Sequence, residues 1–324
     1  LDGCSEKNID LATAQKLWRN FEYFSGYGFN KSHAVSYSVL SYQCAWLLNY
    51  YPECWVAAFL DKEPESRKEL AIALAKKYGF GITDINVNTS AGLSWEISED
   101  GKTLIQPLSS IKGLGKAAIR QIVDNRPFED AEDLLFKEGV TYSKLNKKAL
   151  DVLCRSGALD SMVDDTFTGM KHFWMACIQN RPKNKKRLQD NIQEFYEEGE
   201  FSREEQINNI SDLTGIFPFD IVLSKDVKAA IQRYEVPALG DWDPELGAAW
   251  FIPREKIAKK TKNDKPYWIL KVIDNTSTMN TIRVWGVDPN RDLIHLNRPY
   301  GAQLNYNEDW GFSLRLNKNK LVLL

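Results

Sequence analysis

The hydrophobic period of this chain changes along its length, and that change limits the fold more than any single motif does. Over about the first 80 residues the period is helical: Leu11, Ala14, Leu17, Phe21 and Phe24 recur at helix spacing. One amphipathic helix is predicted near 10–24 and a long one near 33–50, stopping before Pro52. A third covers 52–60, and a fourth, 64–78 (PESRKELAIALAKKY), closes at Gly79. Glu65 and Glu69 near its start and Lys76 and Lys77 near its end suit the helix dipole. From 80 to about 107, ITDINVN and LSWEISEDGKTLIQPL read as strands, with Asp100-Gly101 as a two-residue hairpin turn. Helical signals return over 108–160. From about 245 the period is 2: PYWILKVID (266–274) and TIRVWGV (281–287) alternate as strands, and SLRLNKNKLVLL (313–324) reads as a hairpin. Several short strands in about 80 residues suggest a small barrel of OB type.

The chain is therefore expected to be multidomain α+β: a helical region over 1–80, a strand pair with paired helical hairpins over 81–165, a linker or helical connector over 166–244, and a β-barrel over 245–324. Its 324 residues suffice for two or three domains. A net charge of −2 announces no nucleic-acid binder, so local patches must carry any such argument. Five cysteines without a CxxC pair argue against zinc and a disulfide framework, and fit a cytoplasmic protein. No apolar run approaches the roughly 18 residues that span a bilayer. The first residue is Leu and helical spacing is already under way, so a fragment lacking its N-terminal part is expected.

The clearest local motif is SIKGLGKAAIRQIV (110–123). An apolar residue, then Gly113-Leu114-Gly115, then a helix bearing Ala118, Ile119 and Ile122 is a helix-hairpin-helix pattern. The glycines permit a tight turn, and the helix N-terminus aims free backbone amides at a phosphate oxygen. Lys112 and Lys116 add charge beside those amides. KLNKKALDVLCRSGALD (144–160), with Lys144, Lys147 and Lys148 at its start, is the candidate second half of a tandem pair. Contacts of this kind hold a duplex by its backbone without reading sequence.

In the β-rich tail, KKTKNDKPYWILKVID (259–274) sets basic residues, among them Lys262 and Lys265, beside Tyr267 and Trp268. Charge next to stacking aromatics suits a single strand; the bland alternative is that Trp268 and Trp285 fill a barrel core. RPKNKKR (181–187) holds five basic residues in seven, followed by an acid-rich run to Glu205, and reads as a solvated linker or helix face. Catalytic patterns are otherwise sparse, with no P-loop, HExxH or GxSxG, and histidines scattered at 33, 172 and 295. NEDW (307–310) reads as a turn.

One further stretch carries a family likeness. EKNIDLATAQKLWRNFEYFSGYGFNKSHAVSYSVLSYQCAWLLNYYP closely resembles the fingers domain of family C bacterial replicative DNA polymerases, the polymerase III alpha type, with its GYGFNKSHA-x-x-Y-x-x-x-S/A-Y-Q signature. The segments at 85–135 and 144–160 resemble the strand pair and hairpins that follow the fingers, and KTKNDKPYWILKVIDNTSTMNTIRVWG resembles the family's OB domain. DLTGIFPFDIVLS (212–224) is similar to a family passage with His-Pro where this chain has Phe217-Pro218.

The resemblance implies DNA-directed DNA synthesis from deoxynucleoside triphosphates on primer-template DNA. It implies Mg²⁺ held by aspartates of a palm that precedes the fingers and is missing here, so no catalytic or metal residue is assigned to this chain. It places Asn30, Lys31, His33 and Tyr37 against the nascent base pair and incoming nucleotide, whereas Phe29, Tyr37 and Tyr42 as core and Ser32 as a helix cap is the plainer reading. The palm-containing part of the enzyme and a sliding clamp are the implied partners, although LQDNIQEFY (188–196) fits the clamp-binding peptide poorly. The rival is a non-catalytic DNA-binding or tethering protein built from the same modules. An upstream palm with paired aspartates would decide between the two.

Overall fold

The computed structural model describes residues 2–27, 30–64, 67–276, 279–288 and 294–324. The expectations for Phe29 and Glu65 lie outside the described residues. The chain divides into two compact units, Leu1–Val56 and Ala57–Leu324.

In the first unit a short helix α1 (Asp2–Ser5) leads to α2 (Leu11–Tyr27), α3 (Lys31–Tyr50) and the start of α4 (Pro52–Lys62). Asp10 opens α2 by accepting the Thr13 backbone N–H at 2.9 Å and the Thr13 hydroxyl at 2.6 Å. The predicted apolar stripe is there but largely unburied: Ala14 is enclosed, while Leu11, Leu17, Phe21 and Phe24 are exposed. α3 begins two residues earlier than expected, buries none of its residues, and stops where Tyr51 donates its N–H to the Leu47 carbonyl. Pro52 then starts α4, at the helix position that needs no amide donor.

The second unit continues with α5 (Lys68–Lys77), which ends before Gly79 at φ +89°. A small sheet follows, of β1 (Gly81–Ile82), β2 (Glu96–Ile97) and β3 (Thr103–Ile105) in the order β1-β3-β2. Most of ITDINVN is not strand. Its path is pinned instead by Val87 N–H to the Ala158 carbonyl and by Asn88, whose amide pairs with both backbone groups of Phe128 at 2.8 Å. Asp100-Gly101 is likewise not a two-residue turn. Glu96 pairs with Ile105 and Ser98 N–H reaches the Thr103 carbonyl, leaving a longer loop that Asp100 closes by accepting the N–H groups of Lys102 and Thr103.

Helices α6 (Lys116–Asn125), α7 (Ala131–Phe136), α8 (Lys147–Arg155) and α9 (Met170–Phe173) come next, then a π-helical turn Trp174–Gln179, α10 (Lys185–Glu194) and α11 (Arg203–Thr214). One hydrophobic cluster joins them: Ile111, Leu114, Ile119, Ile122, Leu145 and Leu150 of the hairpin region pack with Phe173, Ile178, Leu188 and Leu213. Part of the stretch expected as a connector, Phe167 to Leu188 with Leu213, thus packs onto the hairpins. Buried Asn191 takes up carbonyls that the π turn frees, donating to Ala176 at 2.8 Å and Asn180 at 2.7 Å. LQDNIQEFY lies largely in α10, with Leu188 inside the core.

After α12 (Phe219–Val222) and α13 (Lys225–Tyr234) comes a sheet of seven strands: β4 (Ala248–Lys260), β5 (Pro266–Ile273), β6 (Asn280–Trp285), β7 (Tyr300–Gln303), β8 (Asn305–Asn307), β9 (Gly311–Arg315) and β10 (Leu321–Leu323). The order is β10-β7-β4-β5-β6-β9-β8, antiparallel except for β6 beside β9. β7 and β8 are separated only by Leu304, so one nearly continuous strand pairs with β4 at its start and with β9 at its end. That circuit is the OB-type barrel. The tail 313–324 is not a hairpin, because β9 pairs with β6 and β8 whereas β10 pairs with β7. NEDW does form the turn between β8 and β9. β4 buries both faces near its start. Ala249 and Phe251 face the barrel core, while Trp250 and Ile252 pack against Ile207, Phe217, Val222 and Val227 of the helices.

Candidate nucleic-acid interface

The first hairpin, Ile111 to Gly115, alternates between core and solvent. Ile111 and Leu114 are buried; Lys112, Gly113, Gly115 and Lys116 are exposed. The two glycines have different reasons. Gly113 sits at φ +89°, a left-handed conformation that costs an L-residue energy. Gly115 has ordinary extended angles, φ −80° and ψ 148°, and a Cβ there would meet nothing within 4 Å. Its missing side chain leaves space on the solvent side. Gly115 is also the N-cap of α6, with no side chain to cover the first amides of that helix. Lys112 N–H donates to the Leu213 carbonyl at 2.7 Å and fixes the turn to the end of α11. The result is a turn whose first α6 amides carry no side-chain cap, with exposed Lys112 and Lys116 beside them, an arrangement suited to a phosphate oxygen.

The second hairpin, Thr141 to Asn146, matches the first in position. Leu145 is buried like Leu114, and α8 follows as α6 does. Gln121 of α6 joins the two hairpins, accepting from the Thr141 hydroxyl at 2.9 Å. The chemistry differs, because Asn146 caps α8 and accepts the Ala149 N–H at 3.0 Å. Lys144 and Lys148 are exposed; Lys147 donates to the Gln179 carbonyl at 2.9 Å.

On the barrel, Lys262 and Lys265 lie on the exposed turn between β4 and β5. Trp268 does not serve as a surface platform. It is 8% exposed, belongs to the barrel core, and has the Lys256 ammonium 4.9 Å over its ring. Strand alternation puts Tyr267 on the other face, where it stacks on Trp285 at 4.6 Å and 23°. Pairing register extends that couple into a row across four strands, Lys259–Tyr267–Trp285–Arg315. Trp285 and Arg315 were missed in the sequence as surface residues. Alternation from Trp268 was the available signal for Tyr267; the rest of the row depends on register.

In the first unit, Asn30 is the N-cap of α3. Its side-chain oxygen accepts the N–H of Ser32 at 3.0 Å and of His33 at 3.4 Å. Ser32 is therefore not the cap; its hydroxyl donates to Asn30 at 2.6 Å. His33 and Tyr37, one turn apart, are in ring contact at 4.4 Å. Lys31 points elsewhere. At about 100° per residue it is roughly 200° around the axis from His33, and it lines a shallow groove of about 380 Å³ with Val35, Ser38 and Tyr42. Tyr37 and Tyr42 are exposed and do not form a core.

Two successive turns, each leading into a helix and joined through Gln121, define a helix-hairpin-helix module, and the family described as "Helix-hairpin-helix motif" matches residues 79–166. The chain is also similar to the DNA polymerase III subunit alpha of several bacteria. That of Pseudomonas fluorescens is 34% identical over 167 residues, 50% of this chain and 14% of that one. That of Campylobacter jejuni is 32% identical over 165 residues, 49% and 14%. That of Thermus aquaticus is 34% identical over 168 residues, 50% and 13%. The resemblance to the polymerase III alpha family holds over about half of this chain, and the match spans only 14% of the length of the first relatives.

Proposed function

We propose that this chain serves DNA synthesis as the DNA-holding portion of a polymerase III alpha-type, DNA-directed DNA polymerase. The first hairpin carries the reading: exposed Lys112 and Lys116 flank an uncapped helix start with no side chain at Gly113 or Gly115. That arrangement binds duplex phosphate in any sequence. The barrel row Lys259–Tyr267–Trp285–Arg315 offers stacking and charge to a single strand, with Lys262 and Lys265 beside it. In this reading α3 faces the incoming deoxynucleoside triphosphate. His33 and Tyr37 form one contact surface and Lys31 a separate cation, while Asn30 serves chiefly to start the helix. Among the described residues no three His, Cys, Asp or Glu side chains converge on a seat for Mg²⁺. In this reading the metal belongs to a palm outside these residues.

The test is titration of the chain with duplex DNA over a salt series. Lys112→Ala with Lys116→Ala should weaken binding equally on unrelated sequences and lower the salt slope by about 1 per lost phosphate contact. Unchanged affinity and slope in the folded double variant would remove the hairpin from the DNA path.

A further inference from the structure

The basic run RPKNKKR (181–187) has no part in the reading above, yet the fold sets it against the second hairpin. The Arg181 guanidinium lies 4.4 Å over the Tyr142 ring and donates to the Leu145 carbonyl at 2.5 Å. Lys147 donates to the Gln179 carbonyl from the other side at 2.9 Å. The hairpin and the start of the run therefore adjoin. Within the run, Lys185 pairs with Glu132 at 2.6 Å and Arg187 with Glu194 at 3.1 Å. Lys183 and Lys186 are exposed, as are Lys144 and Lys148. Among the described residues no carboxylate lies within ion-pair distance of these four. Two residues of chain span at most about 7 Å, so Lys183 stays beside the hairpin that Arg181 touches.

This second hairpin cannot copy the first. It has no glycine between Thr141 and Asn146, and Asn146 already occupies an amide of its helix. What it presents instead is Tyr142, which is 63% exposed although Arg181 covers one face of its ring. We propose that Tyr142, Lys144, Lys148, Lys183 and Lys186 form a second nucleic-acid contact, which holds the backbone through ammonium groups and stacks Tyr142 on an unpaired base. The inference rests on the DNA-holding reading above and differs from it in ligand: a single-stranded extension beside a duplex. Charge without paired acids draws the backbone, and a ring backed by a guanidinium stacks on any base.

The experiment compares a blunt duplex with the same duplex bearing a short single-stranded extension, by fluorescence anisotropy with the whole chain. Tyr142→Ala should lose roughly tenfold in affinity for the extended duplex and little for the blunt one; Tyr142→Phe should bind both as the parent does. Lys183→Ala with Lys186→Ala should lower the salt slope on the extended duplex by about 2. Because Tyr142 also supports Arg181, the lysine pair decides the matter if Tyr142→Ala melts early. Parental binding and salt slope in the lysine variant, together with parental binding in a folded Tyr142→Ala, would overturn the inference alone. A parent chain that binds neither DNA would overturn the DNA-holding reading and this inference with it.

Discussion

Replacing Gly115 by serine separates what the first hairpin needs for folding from what it offers to a ligand. Gly115 has extended angles open to any L-residue, and an added Cβ meets nothing within 4 Å. Serine is a better N-cap than glycine by a few tenths of a kcal/mol, so the variant should melt at or slightly above the parent temperature. Its hydroxyl, however, would accept the N–H of Ala117 or Ala118, and its Cβ would stand where a phosphate oxygen approaches. Losing one hydrogen bond to a charged group costs about 1.5–3 kcal/mol, which is roughly a tenfold to hundredfold rise in Kd. Gly113→Ser is the contrast. At φ +89° it should cost about 1–2 kcal/mol of stability, because serine enters the left-handed region. Thermal unfolding and duplex titration on the same preparations give both quantities. A Gly115→Ser chain with parental duplex affinity would refute the amide site, whatever its stability.

Trp268→Ala should destabilise the barrel by about 3–5 kcal/mol, whereas Tyr267→Ala or Trp285→Ala should mainly lose single-strand affinity, about 1–3 kcal/mol each. Melting curves beside oligonucleotide titrations distinguish them, and parental stability in Trp268→Ala would place that ring outside the core. Asn30→Ala should weaken α3 by about 1 kcal/mol and Ser32→Ala by less, read from helical circular dichroism on heating; the reverse order would return the cap to Ser32. Glu69, half-buried, has its carboxyl pKa raised above 4.5 by desolvation, against the opposing pull of Arg254 and the Phe217 N–H. The folded chain then holds a proton that the unfolded chain releases, so this group's contribution to stability falls as pH rises from about 4.5 through the raised value. Glu69→Gln should flatten that segment of the stability profile, and an unaltered slope in urea unfolding would assign it elsewhere.

The first hairpin was legible in the sequence because its turn requires a residue tolerant of positive φ, and Gly113 next to periodic apolar positions announces that requirement. The strand over 266–273 was legible through its alternation. What alternation leaves open is which set faces inward. Trp268 is settled by Val284 opposite it and the core beyond, contacts from a distant part of the chain. The tail was misread for a similar reason. Its NKNK turn is a sound local signal, but β9 and β10 find better partners in β6 and β7. Lys31 and His33 look adjacent in the signature, yet the helix starts at Lys31 and turns them to different sides. The row Lys259–Tyr267–Trp285–Arg315 belongs to four strands at once and exists only after they are in register.

Helix α11 has one end in each of two cores. Leu213 packs with the hairpins, and its carbonyl holds Lys112, while Ile207 packs with Trp250 and Ile252 of the barrel. Those anchor points are about 9 Å apart along a single unbroken helix. α11 is thus a strut rather than a hinge. Bending the barrel away from the first hairpin would require breaking the helix or pulling a side chain out of one of its sockets. In the DNA-holding reading, a nucleic acid that touched both would meet a spacing the protein already sets and would itself have to bend to match it.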